Sequence, residues 1–256
     1  VVSVAGGAGS AASASVNDVL RTEGVGKRFG GFQALREVDM RLGHGEILGV
    51  IGPNGAGKTT LFNVIAGMFR PTEGKIFFDG RDVTGAPPHK RMRMGIARTF
   101  QLIRPFTSMT IFENVATAAL GGGASFKDAG VRATAAIERL NMGAIATKSA
   151  AGINAVEGKR LEVARALASS PKIVLLDEIF SGLNTDEVQE LVALVHSLRE
   201  DGISIIVIEH NVHAIKSTAD RVLAFDAGRV VSEGSPEHVL SDPHVIESYL
   251  GQRTRA

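Results

Sequence analysis

The chain has 256 residues, of which 44% are hydrophobic and 21% charged, the balance of a folded globular protein and not of a disordered one. Twenty-eight Lys and Arg stand against 27 Asp and Glu, and a net charge of +1 disfavours a nucleic-acid partner. There is no cysteine, which excludes a disulfide scaffold, thiolate metal sites and a cysteine nucleophile. No apolar run approaches the ~20 residues that a membrane-spanning helix needs.

Residues 1–17 (VVSVAGGAGSAASASVN) carry no charge and read as a flexible leader or linker. The chain starts with Val, which reads as a trimmed or excised end. Ordered structure is expected from Asp18. Over 18–50 the short apolar segments separated by Gly predict a strand-rich, partly antiparallel edge. Ile47 to Ile51 is an apolar run that ends in a glycine-rich turn, and helical character follows over 58–68. KIFF (Lys75 to Phe78) before Asp79-Gly80 predicts a hairpin strand and turn. Pro87 and Pro88 mark a helix start.

The stretch from Thr110 to Leu140 is mostly helical in pattern, interrupted at Gly121-Gly122-Gly123. A helix is expected from Gly158 to Ser169, then a strand from Ile173. Val188, Leu191, Val192, Val195 and Leu198 repeat at helical spacing within 185–200. Ile203 to Ile208 is rich in β-branched residues, Arg221 to Gly234 reads as a hairpin, and 235–250 as two short helices. Strands that alternate with helices predict an α/β fold with a mainly parallel sheet. The helix-dominated middle predicts a separate lobe.

Gly52-Pro53-Asn54-Gly55-Ala56-Gly57-Lys58-Thr59 matches the pattern G-x-x-x-x-G-K-[ST]. Glycines let the backbone wrap phosphates with its N–H groups turned inward, and the following helix adds its positive end. Lys58 is expected to neutralise phosphate charge, Thr59 to ligate Mg²⁺ and Thr60 to donate to a phosphate oxygen. The alternative, a glycine-rich turn with no ligand, lacks a reason for the complete pattern.

Asp177-Glu178 ends the apolar run Ile173-Val-Leu-Leu. After a phosphate loop, Asp177 is expected to hold Mg²⁺ and Glu178 to polarise an attacking water. An acidic pair that caps the next helix is the plainer alternative. His210 follows Ile205-Ile-Val-Ile-Glu209 at a third strand end, facing the same crevice, where it would contact the γ-phosphate.

Taken together, these segments resemble the ATP-binding cassette (ABC) ATPases that drive membrane transporters. The resemblance spans about residues 20–251. It is carried by KRFGGFQALREVDM, IGPNGAGKTTLFNVIAG, GIARTFQLIRPFTSMTIFENV, RLEVARALASSPKIVLLDE, SGLN, IEHNV and DPHVIESYLG, and looks closest to ATPase subunits of branched-chain amino acid importers. It implies a P-loop NTPase core with an antiparallel β edge and a helical lobe over about 102–170, all in one domain over 18–251, with a tail at 252–256. ATP and Mg²⁺ are the implied ligands. Transmembrane permease subunits and a second ATPase subunit are the implied partners, at the cytoplasmic face of the membrane.

The resemblance assigns further residues. Phe29 falls where an aromatic stacks on adenine, with Phe32 as a rival. Gln101 matches the glutamine that senses Mg²⁺ and the attacking water. Ser181 to Asn184 resembles the loop that crosses between subunits, and Arg104, Phe106, Met109 and Phe112 lie on the expected permease side. One segment departs from the family. The signature Leu-Ser-Gly-Gly-Gln aligns with Ile153-Asn154-Ala155-Val156-Glu157. Asn154 retains a donor for a γ-phosphate, whereas Val156 replaces a glycine and Glu157 adds charge. An asymmetric pair of sites is the expectation, with two working sites as the alternative. A non-transport cassette and a catalytically weak regulatory cassette are the rival functions.

Overall fold

The computed structural model describes residues 18–101 and 104–250, so the leader and tail expectations lie outside the described residues. Strands β1 (Asp18–Phe29) and β2 (Phe32–Gly43) form a hairpin, followed by β3 (Ile47–Ile51) and helix α1 (Lys58–Ile65). Next come β4 (Glu73–Phe78), β5 (Arg81–Asp82), α2 (Pro88–Met94) and β6 (Ile96–Arg98). The helical middle holds α3 (Ile111–Gly121), α4 (Phe126–Arg139), two short 3-10 turns and α5 (Ala155–Ala168). The chain continues through β7 (Ile173–Asp177), α6 (Thr185–Glu200), β8 (Ser204–Ile208) and α7 (Val212–Thr218). Strands β9 (Arg221–Asp226) and β10 (Arg229–Gly234) and helices α8 (Pro236–Ser241) and α9 (Pro243–Leu250) complete it.

Two sheets result, a four-stranded antiparallel one in the order β2-β1-β4-β5 and a six-stranded one in the order β10-β9-β3-β8-β7-β6. In the larger sheet β9, β3, β8, β7 and β6 run parallel and only β10 is antiparallel. Every residue of β3, β7 and β8 is buried, as continuous apolar runs in a doubly covered parallel sheet must be.

The period of two in these strands divides the interior. Val174 and Leu176 face a core shared with α3 to α7, while Ile173 and Leu175 face one shared with α1 and the antiparallel sheet. Both cores therefore depend on the same strands, and their register fixes where the strand ends stand.

Two boundaries and one burial pattern differ from the sequence reading. Helix α1 stops at Ile65, where turns at Ala66 to Met68 take over. Strand β9 pairs with β10 as the expected hairpin, but in place of a hairpin's alternation it is buried at four successive positions, because it lies inside the sheet between β3 and β10. Helix α5 begins at Ala155, three residues before Gly158. Asn154 is its N-cap and Glu157 closes a capping box, so the altered segment nucleates a helix instead of preceding one.

Candidate active site

The parallel strands β3, β6, β7 and β8 bring their C-terminal ends to one edge, where open α/β sheets bind ligands. From β3 the chain enters the loop Gly52 to Gly57. Gly52 has φ 149°, and a Cβ there would lie 2.3 Å from the Phe225 carbonyl oxygen. Gly57 has φ 105°, and a Cβ would lie 2.7 Å from the Ala34 carbonyl oxygen. No side chain fits either position, so the backbone path of the loop requires both glycines. Gly52, Pro53 and Ala56 are buried, and Asn54 and Gly55 form the exposed tip. Ala56 also accepts a 2.9 Å hydrogen bond from Gly228 N–H, which ties the loop to the β9–β10 turn.

Lys58 opens α1, and its Nζ donates to the carbonyls of Gly52 at 2.6 Å and Pro53 at 3.0 Å. Burial pulls this lysine below its ordinary range, and the nearby carboxylates of Glu178 and Asp177 push back. Thr59 is exposed and half-buried Thr60 follows it on the same turn. Thr59, Arg98, Gln101 and Asp177 line one cavity of about 410 Å³.

Asp177 ends β7 and is only 3% exposed. Its Oδ2 accepts from Arg98 Nη2 at 3.0 Å, and its buried Oδ1 has no partner. Burial pushes its carboxyl up, against the pull of Arg98. Among the described residues no cluster of three His, Cys, Asp or Glu forms a metal cage. Mg²⁺ takes one or two protein oxygens and completes its shell with phosphates and water. Asp177, with its bare Oδ1, and Thr59 line the same cavity and would form such a donor set.

Glu178 has φ 52°, a left-handed conformation rare outside glycine and costing about 1–3 kcal/mol. Its backbone is held on both sides. Its N–H donates to Ile208 O at 3.0 Å, and its carbonyl accepts from Lys159 Nζ at 3.1 Å. Lys159 also reaches the carbonyls of Ile179, at 2.9 Å, and Ser181. The Glu178 side chain lies between two other strand ends. Gln101 Nε2 donates to its Oε2 at 2.5 Å, and His210 Nδ1 stands 3.4 Å from Oε1.

The other residues assigned by resemblance are more scattered. Phe29 is 42% exposed; it packs edge-on against Phe69 at 5.2 Å and has Lys27 Nζ 4.9 Å from its ring centre. Phe32, its partner across the hairpin turn, is 64% exposed. Asn154 is exposed, and its side-chain oxygen accepts from Glu157 N–H at 2.9 Å while Glu157 bonds back to Asn154 N–H. Phe106 is 46% exposed, and Phe112 packs against the helical core.

Sequence reading missed several residues that organise this edge. Arg98 and Lys159 are basic residues within ordinary strand and helix text. Glu209 is fully buried, with Oε1 accepting from Phe180 N–H at 2.8 Å, and burial pushes its carboxyl up. The one signal available was the presence of charged residues next to strands expected to be buried.

A parallel sheet with a phosphate loop at one strand end and Asp-Glu at another defines a nucleotide-binding P-loop ATPase cassette. The family model described as "ABC transporter" matches residues 35–181, and one described as "Branched-chain amino acid ATP-binding cassette transporter" matches residues 229–253. The chain is 36% identical over 250 residues to the high-affinity branched-chain amino acid transport ATP-binding protein BraF of Pseudomonas aeruginosa, covering 91% of this chain and 98% of that one. LivG of Escherichia coli, of the same description, gives the same identity and coverage. The lipopolysaccharide export system ATP-binding protein LptB of Acidithiobacillus ferridurans is 33% identical over 93% of this chain and 99% of its own. Among solved structures, a nucleotide-free ATP-binding cassette from an ABC transporter superposes with a TM-score of 0.84 at 30% identity, covering 91% and 98% of the two chains. The chain belongs to the family of ABC transporter ATPases, and it is an ATP-binding ATPase.

Proposed function

We propose that this chain hydrolyses ATP with Mg²⁺ to drive import of branched-chain amino acids or similar small polar solutes through a membrane permease. It would work at the cytoplasmic face, paired with a second ATPase subunit. What carries the substrate class is the match of residues 229–253 to the branched-chain amino acid cassette model, since related cassettes also serve export.

The chemistry follows from the strand ends. Backbone N–H groups of Gly55 to Thr59 and the start of α1 bind the phosphates, and Lys58 neutralises their charge. Thr59 and Asp177 would hold Mg²⁺, which supplies charge stabilisation at the phosphates. Glu178, set between Gln101 and His210, polarises and orients the attacking water. Phe29 offers a π-face for adenine once Lys27 swings aside.

An apolar groove of about 410 Å³ beside Gln101 supports permease docking. Met68, Phe100 and Phe106 line it at 51%, 47% and 46% exposure, with Met92 and Arg165 between them. On the reading that the signature of one subunit completes the other's site, the Glu157-closed start of α5 weakens one of the two. Reconstitution with a branched-chain amino acid permease in proteoliposomes tests the function. ATP-dependent leucine uptake that vanishes with Glu178→Gln is expected, and ATPase activity without uptake of any branched-chain amino acid would refute branched-chain amino acids as the cargo.

A further inference from the structure

Arg98 ends β6, three residues before Gln101, and its side chain is 9% exposed. Its two terminal nitrogens are spent on different elements. Nη2 donates to Asp177 Oδ2 at 3.0 Å, and Nη1 donates to the side-chain oxygen of Asn63 on α1 at 2.5 Å. The guanidinium carbon lies 5.1 Å from the Phe100 ring centre and 5.9 Å from that of Phe62, which confines the group further. The next residue, Thr99, accepts a 3.1 Å hydrogen bond from Asp177 N–H through its hydroxyl. Asp177 is thus gripped by two successive residues, the last of β6 and the one after it, at its main chain and at one carboxylate oxygen. The other oxygen, Oδ1, is buried and without a partner.

A lone buried carboxylate turns about its terminal bond and meets a strong desolvation penalty. A planar guanidinium fork removes both difficulties at once, because it supplies charge and fixes direction. A lysine ammonium would supply the charge without the fork.

We propose that Arg98 is the positioning residue of the divalent-cation site: by joining Asp177 Oδ2 to Asn63 on the phosphate-loop helix, it holds Asp177 Oδ1 toward the cation. This rests on the reading of Asp177 as a Mg²⁺ ligand. The segment that leaves β6 also carries Gln101 to Glu178, so the end of β6 and the residues just after it hold both Asp177, the last residue of β7, and Glu178, which follows it.

The test measures affinity for a non-hydrolysable ATP analogue across a Mg²⁺ series and in EDTA, for wild type, Arg98→Met, Arg98→Lys, Asn63→Ala and Asp177→Asn. Removing an outer partner of a metal ligand typically weakens metal binding about 10–100-fold. Arg98→Met is expected to raise the Mg²⁺ concentration for half-maximal binding by about tenfold or more, with affinity in EDTA within about twofold of wild type. Arg98→Lys should recover part of the loss, and Asn63→Ala should shift the midpoint the same way by a smaller factor. An unchanged or lowered Mg²⁺ midpoint in the Arg98 variants overturns the proposal. So does an equal loss with and without Mg²⁺, which marks a purely structural ion pair. If Arg98→Met does not fold, Arg98→Lys and Asn63→Ala decide by the same criteria. A midpoint unmoved by Asp177→Asn removes Asp177 as a ligand and with it the premise. A midpoint moved by Asp177→Asn but by neither Arg98 variant removes the role of Arg98 alone.

Discussion

Gln101 Nε2 donates to Glu178 Oε2 at 2.5 Å, joining the segment after β6 to the end of β7. The contact links a loop beside the proposed permease groove to the carboxylate that would orient water. A displacement of the loop that carries Gln101 therefore acts directly on the position of that carboxylate. Replacing Glu178 by Gln keeps the side chain's size and removes its basicity. Steady-state phosphate release should fall by about 10²–10⁴-fold, the usual contribution of a general base. Equilibrium dialysis with ATP should show binding retained.

The start of α5 gives a second expectation. Glu157 closes a capping box on Asn154, and Gln can form the same box. Glu157→Gln combined with Val156→Gly removes the added charge and the β-branched side chain. Turnover measured at rising protein concentration should increase, if the segment limits a shared site. The stability lost to an extra glycine should stay near or below about 1 kcal/mol by chemical denaturation.

Glu209 predicts a pH dependence. Its folded pKa is raised by burial, so the native state holds its proton more tightly than the unfolded chain does. Stability from this group is present at low pH and is lost as pH rises from the ordinary carboxylate range through the raised folded value. Gln at this position can still accept from Phe180 N–H. Glu209→Gln should therefore raise the melting midpoint at pH 8, with a smaller difference at pH 5, as read by scanning calorimetry.

Arg91 carries the largest expected loss of stability. It is 1% exposed and gives five hydrogen bonds to carbonyls, among them Val64 at 2.7 Å and Ile65 at 2.6 Å on the last turn of α1. The others are Ala86, Val83 and Thr84. Burial lowers its pKa to about 10, which leaves it charged at neutral pH beside the negative end of the phosphate-loop helix. Arg91→Met strands these carbonyls and should lower unfolding free energy by about 3 kcal/mol or more. Arg91→Lys should recover only part, since an ammonium cannot fill five acceptors. Urea denaturation of both variants checks this.

The local features of this protein were written in the sequence because local physics sets them. Continuous apolar runs at Ile47–Ile51 and Ile173–Leu176 require doubly covered strands, and the spacing of Gly52, Gly57 and Lys58 requires a phosphate-binding turn. Helix ends were less legible. The Asn154–Glu157 capping box coincides with the segment that aligns with the signature, and it starts the helix at Ala155, three residues before the sequence pattern places it.

The contacts across elements were less legible: the resemblance brought Gln101, Glu178 and His210 to one crevice, but not the bonds that join them or the role of Arg98. Arg98 and Asp177 are 79 positions apart, and Gln101 and Glu178 are 77 apart. Nothing in the text near Arg98 distinguishes a residue that grips Asp177 from a solvated arginine. Nor does an Asp-Glu pair reveal that one oxygen is held and the other is bare. The sequence by itself determined which residues can bind phosphate and which strands must be central, because these follow from neighbours in the chain. Only the tertiary structure decided how each carboxylate is aimed, because that depends on parallel strand register bringing distant residues within hydrogen-bond reach in a buried, weakly screened interior.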